Sequence, residues 1–213
     1  MTPPPTSDER PERRESRLSA LRQKAIEAYY MVEDFLPRPQ NGRAWLRLLR
    51  LPNLLTVPGD VLAGFLLAPA ATGRDWAQLL LAVPAGLLLY AAGLVLNDLF
   101  DYAEDLRERP GRPLPANQIS REAAAAAALI FFWIAAFLAA FFDALPVALP
   151  LILCVILYDV GLKRRPGIGP ALMGACRAGN LLLGAAAAAN GFPTSPFPWI
   201  GAAVLGLYVA VVT

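Results

Sequence analysis

From Ala77 to Leu96 the chain carries no charged side chain, and the run ends in Asn97-Asp98-Leu99-Phe100-Asp101-Tyr102-Ala103-Glu104-Asp105, followed by Arg107, Arg109 and Arg112. About twenty uncharged residues is the length a helix needs to cross a hydrocarbon layer of ~30 Å. Four carboxylates at the end of such a helix are costly unless positive charge sits between them. At ~100° per residue, Asn97, Asp101 and Asp105 fall within an arc of roughly 80°, with Asp98 beside them, so an amide and carboxylates can point at one volume. Oxygen ligands of this kind suit Mg²⁺, which keeps several waters and completes its shell with substrate phosphate oxygens. The bland alternative is a solvated acidic loop paired with arginines. Against it stands the stiffness of Arg109-Pro110-Gly111-Arg112-Pro113-Leu114-Pro115, whose prolines fix φ and limit where the basic groups can go.

Asn97, Asp98, Asp101 and Asp105 spell NDxxDxxxD, and Arg112-Pro113-Leu114-Pro115 spells RPLP. In both respects the sequence resembles the UbiA family of intramembrane prenyltransferases. Arg50-Leu51-Pro52-Asn53 resembles the Arg/Asn region of that family's first helix, and Tyr158 and Lys163 resemble its Tyr/Lys pair after the fourth helix. The resemblance implies an all-α membrane protein, a multi-helix transmembrane bundle around a central cavity. It implies Mg²⁺-dependent transfer of a prenyl group from an isoprenyl diphosphate to an aromatic, quinone-like or other lipophilic acceptor. Asp101 and Asp105, with Asn97 or Asp98, would hold the metal. Arg112 and Lys163 would take phosphate oxygens, with Asn53, Arg177 and Asn180 as further diphosphate contacts. Tyr158 would orient phosphate or face the allylic cation with its ring.

Composition agrees with a membrane protein. Of 213 residues 56% are hydrophobic, and the mean hydropathy is +0.46. Six apolar stretches, near residues 51–71, 77–96, 123–142, 144–158, 168–189 and 197–213, predict about six spans where the family has roughly nine. The sequence stops before the family's second aspartate-rich motif, so the domain over 43–213 is expected to be C-terminally incomplete, or a short homologue working with a partner subunit. Of the nineteen Lys and Arg, all but Arg74 and Arg177 precede Leu51 or lie in the 97–121 loop or the 159–166 loop. That bias places the N-terminus and the aspartate motif in the cytoplasm. The basic residues are thus accounted for by topology and leave no nucleic-acid footprint.

The arm over 1–42 is polar, opens on Thr2-Pro3-Pro4-Pro5 and lacks the apolar core of a secretory signal. Leu18, Leu21, Ala25, Tyr29, Val32 and Leu36 recur at helical steps and predict an amphipathic helix, lying either on the membrane surface or on the protein's own loops. Within the first span Asn53, Thr56 and Asp60 share one face, which must look inward; Asp60 serves either a helix–helix hydrogen bond or the cavity. Arg177, in the fifth span on a face with Met173 and Asn180, requires Asp60 or a bound phosphate. Cys154 and Cys176 sit in apolar segments as packing residues, and the absence of His removes imidazole bases and His-ligated metals. Two further functions fit such a chain: a non-catalytic membrane scaffold or lipid-binding subunit derived from a prenyltransferase, and a carrier for anionic lipids. The carrier predicts two related halves, and no internal repeat matches the 77–122 region.

Overall fold

The structure, a computed structural model, describes residues 42–69 and 75–213, all of it helix, turn or loop. The predicted amphipathic helix lies outside the described residues. In chain order the helices are α1 (Gly42–Leu48), α2 (Leu51–Leu54), α3 (Val57–Leu67), α4 (Trp76–Phe100), α5 (Tyr102–Glu108), α6 (Arg121–Ala140), α7 (Leu145–Val160), α8 (Ile168–Ala189) and α9 (Pro196–Val212), with one 3₁₀ turn at Leu162–Arg164.

Among the described residues α4, α6 and α8 are long and apolar enough to cross a membrane, while Leu51–Leu67, Leu145–Val160 and Pro196–Val212 are shorter apolar segments. The six expected apolar segments are thus present as three long helices and three shorter segments. Prolines explain much of the shortening. The first segment breaks at Leu55–Thr56, ahead of Pro58, because proline is tolerated in the first turn of a helix and not in its interior. Helix α7 begins with Pro146 in its first turn and extends two residues past the predicted end, which makes Tyr158 and Asp159 helical.

Helices α4 and α8 are central: α4 packs on α3, α6, α7 and α8, and α8 packs on α3, α4, α7 and α9. Small residues let the backbones approach. A Cβ at Gly64 would overlap the Leu181 carbonyl, and a Cβ at Gly184 would overlap that of Val61, so α3 and α8 cross through reciprocal glycines. Gly174 and Gly206 play the same part between α8 and α9. Val61, Phe65, Leu89, Phe142, Leu151 and Leu183 fill the main core. The outer face of α6 carries Trp133 stacked on Phe137, which meets Phe141 edge to face. All three are exposed, Trp133 by 71%, as expected of a helix whose outer surface meets lipid rather than water.

A second cluster sits at the end of the bundle that carries the acidic motif. Ala44 and Leu48 of α1, Val95 of α4, Leu114 and Ile119 of the loop, and Ala124 and Ala128 of α6 bury one another. Leu114 and Ile119 are each 2% exposed, and so anchor the loop on either side of Asn117, which takes the left-handed conformation at φ 51°. Arg47 donates to the Gln118 side chain across the same seam. Ser120 caps α6, its hydroxyl accepting from the Ala123 N–H at 3.1 Å. The loop that carries Arg112 is therefore fixed at its hydrophobic anchors.

Candidate active site

Helix α4 runs through Asn97 and Asp98 and ends at Asp101, where φ −86° and ψ 2° interrupt it before α5 resumes at Tyr102. On helical spacing Asp98 and Asp105 differ by only about 20°, being seven residues apart, whereas Asn97 and Asp101 lie on the adjacent face. The structure divides the motif along that line.

On one face Asp98 and Asp105, 3% and 2% exposed, share arginines. Arg112 Nη1 donates to Asp105 Oδ2 at 2.6 Å and lies 3.5 Å from Asp98 Oδ1. Arg50 Nη2 donates to Asp98 Oδ1 at 2.5 Å, and Arg109 stands 4.0 Å from Asp105. Arg50 reaches this position from the turn between α1 and α2, where it adopts the left-handed conformation at φ 44°, uncommon for a side chain of its size.

On the other face Asp101 meets the second basic loop. Lys163 Nζ donates to Asp101 Oδ2 at 2.8 Å and to Asn97 Oδ1 at 3.1 Å, while Asn97 Nδ2 donates to Asp101 Oδ2 at 3.1 Å. Arg164 Nη2 joins Asp101 Oδ1 at 3.3 Å and Glu104 Oε2 at 2.7 Å. Asp159, one turn before Lys163 and 2% exposed, holds its Oδ1 3.6 Å from Nζ. The turn that returns Lys163 toward α4 depends on Gly161, whose φ of 145° few other residues adopt.

The basic partners thus group Asp98 and Asp105 with Arg112 on one face, and Asn97 and Asp101 with Lys163 on the other. Among the described residues no three acidic, His or Cys side chains form a metal-ligating group. Asp98, Asp101, Glu104, Asp105 and Asp159 are interleaved with Arg50, Arg109, Arg112, Lys163 and Arg164, so each of these carboxylates has a basic partner. The donors themselves are hard oxygens and fit Mg²⁺ in chemistry.

Tyr158 is half-buried on α7, within electrostatic range of Asp101 and Asp159. Asn53 lies exposed on α2, its carbonyl accepting from the Thr56 hydroxyl at 2.7 Å. Arg177 and Asn180 are in neither face of the acidic motif. Arg177 grips Asp60, with Nη2 donating to Oδ1 at 2.9 Å and Nε 2.8 Å from Oδ2, the latter a charge contact rather than an aligned hydrogen bond. Its Nη1 donates to Thr56 Oγ1 at 2.8 Å. Of the two partners open to Arg177 in the sequence, Asp60 is the one it meets. Asn180, 3% exposed, directs Oδ1 toward Gly86 of α4, where an added Cβ would come within 3.2 Å of it.

Arg164, Glu104 and Asp159 were not among the expected site residues. Arg164 and Glu104 read in sequence as ordinary loop charges, and only the meeting of the two loops joins them. Asp159 carried a signal, an acid at the end of an apolar helix four residues before a lysine.

Comparison with known proteins gives this arrangement its context. The chain is 36% identical over 146 residues to a digeranylgeranylglyceryl phosphate synthase of Methanoregula boonei, covering 68% of this chain and 51% of that protein. The protein of the same name from Methanospirillum hungatei is 33% identical over 165 residues, covering 76% and 58% respectively. A solved structure described under "Structural and mechanistic insights into the biosynthesis of Digeranylgeranylglyceryl phosphate synthase in membranes" superposes with a TM-score of 0.66 at 25% identity, over 79% of this chain and 58% of that one. The chain thus spans about half the length of the curated relatives it matches. The profile of the UbiA prenyltransferase family matches residues 60–213, most of the described bundle together with the acidic motif and both basic loops, and the chain belongs to that family.

Proposed function

We propose that the chain performs Mg²⁺-dependent transfer of a prenyl group from an isoprenyl diphosphate to a lipophilic acceptor within the membrane, with the aspartate motif on the cytoplasmic side. The observation that carries this reading is the pairing of Lys163 with Asp101 and Asn97 across two loops at the end of an uncharged helix. A lysine is a mobile point charge suited to phosphate, and carboxylates suit the cation that accompanies it. The relatives are named for a digeranylgeranylglyceryl phosphate; for this chain the acceptor is proposed as the broader class of aromatic, quinone-like or other lipophilic molecules.

In this mechanism Asp101 and Asn97, with Asp98 and Asp105 beside them, would hold the metal. Bound Mg²⁺ supplies neutralisation of the charge that develops as diphosphate departs. Lys163 and Arg112 bind the remaining phosphate oxygens and orient the leaving group in line with its carbon. The C–O electron pair leaves with the diphosphate, the acceptor forms the new bond to the allylic carbon, and the proton lost from the adduct needs only a weak base such as a carboxylate or water. The apolar walls of the bundle keep water from the cation. Tyr158, near Asp101, presents a ring able to face that positive charge.

The test is equilibrium binding of labelled geranylgeranyl diphosphate to the protein in lipid nanodiscs. Binding is expected to require Mg²⁺ and to weaken by at least about tenfold in Asp101→Asn, the loss of one charged ligand contact. Binding that is indifferent to both Mg²⁺ and Asp101 refutes the reading.

A further inference from the structure

We propose that Asp159 is an additional oxygen ligand of the divalent cation, and that the Lys163 ammonium keeps this ligand closed until a diphosphate draws it away. The inference rests on the prenyl diphosphate reading of the site and assigns a role to a residue outside the NDxxDxxxD motif.

Asp159 is 2% exposed, and its Oδ1 is buried with no hydrogen-bond donor. A buried carboxylate oxygen without a donor is costly and calls for a compensating charge. The nearest is Lys163 Nζ at 3.6 Å, too far for a hydrogen bond. That same ammonium is hydrogen-bonded to Asn97 Oδ1 and Asp101 Oδ2 at 3.1 and 2.8 Å. One cation is therefore surrounded by three oxygen-bearing side chains, two from α4 and its end and one from α7, and it satisfies the α4 pair better than Asp159. These are hard oxygens of the kind that bind Mg²⁺, with a lysine in the place of the ion.

Backbone and side chain differ in their freedom here. A Cβ at Gly169 would overlap the Lys163 carbonyl, so the 3₁₀ turn lies directly on the start of α8. The four-carbon stem of Lys163 is what remains able to move. Incoming phosphate oxygens offer the ammonium a better partner than carboxylates already shared with Arg164 and Asn97. Its departure leaves Asn97, Asp101 and Asp159 facing a common space. Metal and diphosphate then favour each other reciprocally, since each binds best where the other has moved Lys163.

The experiment is a Mn²⁺ titration of the purified chain in nanodiscs, read by electron paramagnetic resonance with no phosphate present. Lys163→Met is expected to bind Mn²⁺ about tenfold more tightly than wild type, because the competing ammonium is gone. Adding Asp159→Asn to Lys163→Met is expected to abolish that gain. Equal affinity of Lys163→Met and wild type overturns the lock. A gain that survives Asp159→Asn overturns the ligand assignment. Should Lys163→Met fail to fold, Lys163→Gln keeps most of the stem and a polar tip and makes the same comparison. Geranylgeranyl diphosphate binding by wild type, measured in parallel, separates the outcomes: its absence refutes the proposed function, whereas the Mn²⁺ titrations alone decide the role of Asp159.

Discussion

Arg177→Met isolates the Arg177–Asp60 charge pair, which lies within the apolar bundle. The substitution removes three contacts at once, those of the guanidinium with Asp60 Oδ1 at 2.9 Å, Asp60 Oδ2 at 2.8 Å and Thr56 Oγ1 at 2.8 Å. The two side chains are only 16% and 9% exposed, so solvent screens the pair weakly. An interhelical hydrogen bond in a membrane averages about 0.6 kcal/mol, which sets the floor. Stripping one partner from a buried pair costs about 3–5 kcal/mol, because the remaining carboxylate has nothing to compensate it. Arg177→Met is accordingly expected to destabilise the bundle by about 3 kcal/mol. The double variant Asp60→Leu/Arg177→Met removes both charges and is expected to fall within about 1 kcal/mol of wild type. Denaturant unfolding in mild detergent, followed by circular dichroism, measures all three proteins and Asp60→Leu alone. A loss below about 1 kcal/mol in Arg177→Met, or a double variant as damaged as the single, would refute the argument that Arg177 is held for Asp60.

Gly184→Leu places a side chain where the Val61 carbonyl already lies; overpacking of that kind costs about 1–3 kcal/mol or more, and a rise or no change in thermal stability would contradict the α3/α8 crossing. Ser120→Ala removes the cap of α6 and is expected to cost about 1 kcal/mol, seen as a melting point about 2–4 °C lower, with prenyl diphosphate affinity unchanged.

The fifth predicted span, α8, was legible to the residue, because Gly167 before Ile168 and Asn190 after Ala189 punctuate an apolar run whose one charge is Arg177. The acidic motif was legible as composition and less so as geometry. Helical phase predicts that Asp98 and Asp105 align, yet nothing local says that Arg112 takes both, since that depends on Leu114 and Ile119 docking against α1 and α6. The partnership of Lys163 with Asp101 joins residues 62 apart in sequence, and such a separation is fixed by the packing of α7 and α8, not by any propensity near either residue. The Arg177 alternatives could be written down from charge alone, but choosing between them required the α3/α8 crossing that glycines make possible. In the first segment Pro58 marks a break, and its place in the first turn makes it the start of α3.

The meeting of the two basic loops has a consequence for biosynthesis. As the ribosome delivers the chain, Asp98 and Asp105 find Arg50 and Arg112 within the stretch ending at Arg112, whereas Asp101 waits for Lys163 and Arg164, half a hundred residues later. Maturation of this pole is thus sequential: an early half sealed by arginines, and a late half that closes once α7 has been threaded and its following turn has emerged.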